Sequence, residues 1–347
     1  MKQFKKSLLA ISWLTVAPPV LATPSTSPSE RYASMCQGSP QERGLSLLGT
    51  PLWGTRRKAA DENSSVLVSV GLANVGRDNA GVKALRLEAG HLVAEPTQGT
   101  ERTPGSAGVI GAVLQGTASD GKTMEVAICG AEPSVEAPEM VWYRIETWNI
   151  VTQAWENPCA ATGQVPDPRA VAVAGVWDAR GAHHEAAGRF TLACENSAIS
   201  KCIRWGYRPW ARHDGQSLAD LHQACTRMAR ADYCGDGHSH TSEGIVIDMY
   251  DRFKLLSPTT EALVDWDPAR GSFEAAWAPD GASCLAHSRD GQPLEAVLKE
   301  CPTRFQAGAP VELGEGDRCT LTRAGAGSAP PLLRNRSYAA PRGPRIR

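Results

Sequence analysis

Short runs of β-branched and apolar residues, broken by turn clusters, fill the chain from Val66 to Ala193. Val66-Leu67-Val68-Ser69-Val70, Ala84-Leu85-Arg86-Leu87-Glu88 and Met124-Glu125-Val126-Ala127-Ile128 come first. Val141-Trp142-Tyr143-Arg144-Ile145-Glu146-Thr147-Trp148, Ala170-Val171-Ala172-Val173-Ala174 and Arg189-Phe190-Thr191-Leu192 complete the series. The runs have strand length and strand composition, and groups such as Asp120-Gly121-Lys122 punctuate them. The pattern predicts an antiparallel β-rich region over residues 36–193, built as a sandwich or a barrel. The polar insert Thr97–Ala107 reads as a surface loop.

After Cys194 the period changes. Leu218, Leu221, Cys225, Met228 and Ala229 recur at helical spacing, and Ser217-Leu218-Ala219-Asp220 has the form of a capping box. A helix is therefore predicted from about Leu218 to Ala231, with Cys225 on its buried face. Glu195–Trp205 is a second, shorter helix candidate that Gly206 ends. Gly235–Gly244 reads as a loop and Ile245–Tyr250 as a strand. The remainder to Arg323 is weakly patterned, so irregular, cross-linked structure is expected there. The fold class is α+β, with the β-rich region followed by a small disulfide-stapled helical and irregular part over 194–323.

The two ends have other characters. Residues 1–22 carry Lys2, Lys5 and Lys6, then an apolar run from Leu8 to Val16, then Val20-Leu21-Ala22, the layout of a secretory signal cleaved before Thr23. That run is too short to span a bilayer, which takes about 20 residues. Residues 23–35 read as a mobile Pro/Ser linker, and residues 324–347, with five arginines and no acid, as a disordered basic tail. The whole chain is near neutral, with 36 Lys and Arg against 37 Asp and Glu. Without the leader and the tail the body is acidic, which argues against nucleic acid as a partner. A cell-envelope polymer or another exported protein is the expected partner class, and the expected location is secreted or periplasmic.

Export changes the meaning of the ten cysteines. In an oxidising compartment they are expected to be bridged. Four of them, Cys194, Cys202, Cys225 and Cys234, are crowded together. Cys36, Cys129, Cys159, Cys284, Cys301 and Cys319 are expected to be oxidised as well. Were the helix unbroken, Cys225 and Cys234 would stand about 13 Å apart, beyond disulfide reach. Cross-pairing between the two helices is preferred, with local pairs left open if a helix frays.

Two other groups carry chemistry. Asp236, His238 and His240 alternate, so an extended backbone would place them on one side as candidate metal ligands. Asp232, Asp248 and Asp251 could add oxygens, though without the order of a calcium loop. Arg204-Trp205-Gly206-Tyr207-Arg208-Pro209-Trp210 interleaves rings and guanidinium groups. Trp205, Tyr207, Arg208 and Trp210 are thus binding candidates for a glycan or an acidic peptide, with packing as the plainer reading. No cofactor is expected.

Two resemblances add to this. His222-Gln223-Ala224-Cys225-Thr226-Arg227-Met228 resembles the Ser-His-Gly-Cys-Ile/Val-Arg-Met signature of L,D-transpeptidases, though Ala224 replaces its glycine and no upstream His-Gly is present. The resemblance implies a nucleophilic Cys225, with Arg227 shaping the site. A second covers far more of the chain. Lys201-Cys202, Gly206-Tyr207-Arg208-Pro209-Trp210 and the run Cys225–Gly237, which contains Ala231-Asp232-Tyr233-Cys234, resemble the ADYC domain. Trp155–Cys159, Ala174–Asp178 and Gly271–Cys284 extend the likeness. It implies bacterial export and one integrated unit, and it brings no activity with it. The reading is a non-catalytic binding or envelope-interaction module. The alternative is an envelope-acting enzyme using Cys225, or a metal at His238 and His240.

Overall fold

The computed structural model describes residues 28–38, 51–55, 66–75, 82–96, 106–162, 165–242, 244–324 and 331–338. The predicted signal (1–22), most of the polar insert (97–105) and residues 339–347 lie outside them.

The first described element is helix α1 (Pro28–Ala33), inside the stretch read as a linker. That expectation is corrected by contacts far along the sequence. Tyr32 donates to Glu125 (3.0 Å), and Trp155 Nε1 donates to the Arg31 carbonyl (2.8 Å). Next come β1 (Leu67–Asn74), β2 (Val82–Glu88), β3 (His91–Pro96), β4 (Val113–Ala118), β5 (Thr123–Pro133) and β6 (Val141–Asn149). β7 (Ala154–Glu156), β8 (Ala170–Ala174), β9 (Val176–Trp177), β10 (His183–His184) and β11 (Arg189–Cys194) follow. Six of these close a barrel in the order β11-β8-β6-β5-β4-β1, with Val70 of β1 opposite Phe190 of β11. Closure leaves no edge among the six strands. Leu114, Val126, Ile128, Ile145, Phe190 and Leu192 fill the interior. Tyr143, buried among them, accepts a hydrogen bond from the Leu92 amide (2.7 Å). Cys36–Cys129 and Cys159–Cys194 staple this part.

Helix α2 (Ala198–Arg204) begins at Ser197, whose hydroxyl accepts from the Ser200 amide at 3.0 Å. The short pair β12 (Arg212–His213) and β13 (Gln216–Ser217) leads into α3 (Ala219–Arg230). Ser217 is held in that pair one residue too early to cap. Its hydroxyl accepts from the Ala219 amide (3.2 Å), and the predicted capping box does not form.

The rest of the chain is not irregular. β14 (Ile247–Asp251), β15 (Ser272–Ala278), β16 (Gly281–Leu285), α4 (Leu294–Glu300), β17 (Phe305–Gly314), β18 (Asp317–Arg323) and β19 (Leu333–Ser337) follow in order. The strands form a six-stranded antiparallel sheet ordered β14-β19-β15-β16-β18-β17. Over residues 331–338, β19 therefore corrects the expectation of a disordered tail. Its Arg334 and Arg336 are paired with Asp317 at 2.7 and 3.3 Å, and Asn335 accepts from Trp277 Nε1. Helix α3 lies on β15, β16 and β19, burying Leu221, Ala224, Cys225 and Met228 against Trp277, Leu285 and Leu333. Ile199 and Ile203 of α2 pack on Val171, Val173 and Trp177 of the barrel side, which makes the seam between the two parts apolar.

Candidate functional site

Helix α3 ends at Ala231, which adopts the left-handed conformation (φ 50°) while its amide donates back to the Met228 carbonyl. Asp232 turns inward. Its carboxylate accepts from the amides of Gly235, Asp236 and Gly237 and pairs with Arg227 at 2.5 Å. Tyr233 stacks on Trp277, donates to Glu274 (3.1 Å) and accepts from the Arg289 amide (2.7 Å). Burial, followed by the Glu274 charge, pushes the Tyr233 phenol well above its ordinary range. Burial also pushes the Glu274 carboxyl up, but Arg289, 2.8 and 3.0 Å away, outweighs it and holds Glu274 below its usual value. Cys234 bridges to Cys301. All four residues of the tetrapeptide thus shape one sharp turn.

That turn launches the loop carrying the histidines. Gly235 (φ 73°) is required because a Cβ there would lie 1.9 Å from the Asp280 carbonyl, and at Gly237 (φ 93°) it would lie 2.6 Å from the Ala179 carbonyl. His240 is buried, its amide donating to the Arg230 carbonyl and its Nδ1 lying 3.2 Å from Asp290 Oδ2. Asp290 is half-buried, which raises its pKa. The hydrogen bonds from His240 and Gln292 win and bring it down to about 2. His238 is more exposed and contacts Glu300 through Nδ1, while the two imidazole centroids stand 4.6 Å apart. The group that meets is His238, His240 and Glu300. Asp236 instead lies near Glu300 and the Cys234 sulfur. The sequence did not single out Glu300 or Asp290. A Cys234–Cys301 pairing would have placed Glu300 beside the loop.

The remaining candidates have structural partners. Cys225 is bonded to Cys202 with a Cα–Cα distance of 5.8 Å, the cross-pairing between helices. The sulfur is bonded and fully buried, so the alternative reading of Cys225 as a nucleophile is corrected: it carries no free thiol. Cys194 and Cys234 pair outside the cluster of four, and Cys284 bridges to Cys319. The four binding candidates Trp205, Tyr207, Arg208 and Trp210 each have partners within the fold. Tyr207 is buried and donates to Asp251 (3.1 Å), Arg208 pairs with Glu139, Trp205 packs on the α3 core and Trp210 on the seam. Asp251 is further taken up by the amides of Phe253 and Leu256, and Asp248 by Thr259, so neither is a spare oxygen ligand.

A surface cleft of about 390 Å³ opens beside β14, lined by Val246, Ile247, Leu263, Val264 and Trp266. Leu263 and Val264 stand out in solvent at the tip of a turn closed by the Leu263 amide and the Trp266 carbonyl. Trp266 is buried, stacks on Tyr338, and leaves its Nε1 without a hydrogen-bond partner.

Fold and bridges together define a disulfide-stapled β-rich protein with few helices, none among the described residues long and apolar enough to cross a membrane. The model of the ADYC domain matches residues 106–291, more than half the chain, and the protein belongs to that family. No curated protein and no solved structure matches it.

Proposed function

We propose that this is an exported, non-catalytic binding module of the cell envelope, and that it holds another exported protein at the Val246–Trp266 cleft. One observation carries the reading: an aliphatic pair, Leu263 and Val264, projects into solvent beside a cleft lined by Val246, Ile247 and Trp266 together with Asp248, Thr259 and Asp265. Exposed aliphatic side chains at a turn tip stabilise the free protein little, whereas burying each against a partner is worth roughly 1.5–3 kcal/mol. Five disulfides agree with an oxidising compartment. The chemistry that would favour catalysis points the other way, because the Cys225 sulfur is spent in a bridge. Leu263→Asp and Val264→Asp should each reduce retention on isolated cell envelopes about tenfold or more while leaving Tm unchanged. Retention equal to the parent protein would reject the cleft as the binding surface.

A further inference from the structure

The corner where loop 235–240 meets the end of α4 has the makings of a site that the binding reading does not use. His240 is 2% exposed, and its ring is oriented by Asp290. A carboxylate only accepts, so Nδ1 of His240 carries the proton shared with Asp290, and Nε2 presents a lone pair. That buried Nε2 has no hydrogen-bond partner. It lies 3.1 Å from Glu300 Oε2, but out of line for a hydrogen bond. Two acceptors thus face each other beside a buried ring, which is costly unless something positive stands between them. His238 Nδ1 completes the corner, and the three donor atoms lie within 4.8 Å of one another.

We propose that His238 Nδ1, His240 Nε2 and Glu300 bind one divalent transition cation of the zinc class, with Asp290 as the positioning residue behind His240. Two histidines and one carboxylate are a recognised zinc donor set that leaves a fourth position open. Neighbouring donors on a tetrahedral ion with bonds near 2.05 Å stand about 3.3 Å apart, close to the separation of His240 and Glu300. The hydrogen bond from His240 Nδ1 to Asp290 is the outer carboxylate–histidine contact typical of such sites. Calcium or magnesium would need six or more oxygens, which a corner built on two imidazoles does not offer. The site is rigid before any ion arrives. Asp232 and the Cys234–Cys301 bridge fix the loop, and the same bridge holds Cys301, the neighbour of Glu300. The rival occupant is a proton that turns His240 into an imidazolium between Asp290 and Glu300.

The test is calorimetric titration of the chelator-treated, disulfide-intact full chain with zinc chloride, followed by the visible spectrum on adding cobalt chloride. The expected result is one ion per chain and a cobalt spectrum of low coordination number. His238→Ala and Glu300→Gln, both changes at the partly exposed rim, should each weaken binding at least tenfold with Tm unchanged. Asp290→Asn should weaken it by about 10–100-fold, and His184→Ala, on the barrel side, not at all. No uptake of either metal would overturn the proposal in favour of the proton. So would uptake that both His238→Ala and Glu300→Gln leave unaltered.

Discussion

The barrel and the second sheet bury their polar groups in opposite ways. Inside the barrel the core is aliphatic and aromatic, with the Tyr143 hydroxyl meeting one backbone amide. In the second part full charges are buried: Glu274 with Arg289 and Asp232 with Arg227 near the end of α3, and Asp317 beside Arg334 and Arg336 of β19. The first kind of core is stabilised by transfer of apolar area and tolerates graded changes of shape. The second depends on each charge keeping its partner, since a buried orphan costs more than the pair contributes. The barrel side is therefore the more forgiving, and the ADYC turn sits in the unforgiving half.

The widest gap between the two should come from Glu274→Ala. It strands Arg289, fully buried, and should cost about 3–5 kcal/mol in urea unfolding; Glu274→Met with Arg289→Met should recover much of that loss. A cost below 1 kcal/mol for the single change would erase the contrast. The seam is probed by pH. Burial is the main cause that lowers the His222 pKa from 6.5 to about 4, with the nearby His183 lowering it further against the bond to Ile199. Above pH 6.5 this imidazole is neutral in folded and unfolded chains alike. As pH falls from 6.5 to 4, the unfolded chain takes up a proton that the folded one refuses, so stability drops by on the order of 3 kcal/mol from this group. Below about pH 4 the folded form protonates too, and the loss levels off. His222→Gln retains a donor for the Ile199 carbonyl and should flatten that part of the curve; an unchanged slope would show that His222 is not its source. The smallest effect belongs to the barrel. Ile128→Val should cost only about 0.5–1.5 kcal/mol, and a larger loss would mean that its interior is no more tolerant than the other.

Much of the first half was legible because its signals are local. The runs at Met124–Ile128, Val141–Trp148 and Ala170–Ala174 fall within β5, β6 and β8. The 3.6-residue period of α3 located that helix to within a residue or two. The second sheet hid itself for physical reasons. β15 is buried on both faces, so Phe273-Glu274-Ala275-Ala276-Trp277 shows no alternation and includes a charge. β19 reads as solvated because its arginines find their acids 17 and 19 residues upstream, on β18. The aromatic stretch around Tyr207 looked like a surface for the same reason, its partners being Asp251 and Glu139 in distant segments. Of the histidine corner, the alternating spacing revealed two members, and the acids arrived through a disulfide no spacing rule could assign.

Strand β19 has a consequence for biogenesis. Among the described residues β14 hydrogen-bonds to no strand but β19, and β15 needs β19 on one side, so both wait for Leu333–Ser337 to appear. The barrel can close as soon as β11 has been made, whereas its companion stays unfinished until Leu333–Ser337 emerges. A ribosome stalled between Arg323 and Leu333 would leave a closed barrel followed by a four-stranded sheet whose β15 edge is bare, with β14 unattached and ready to pair with the wrong chain.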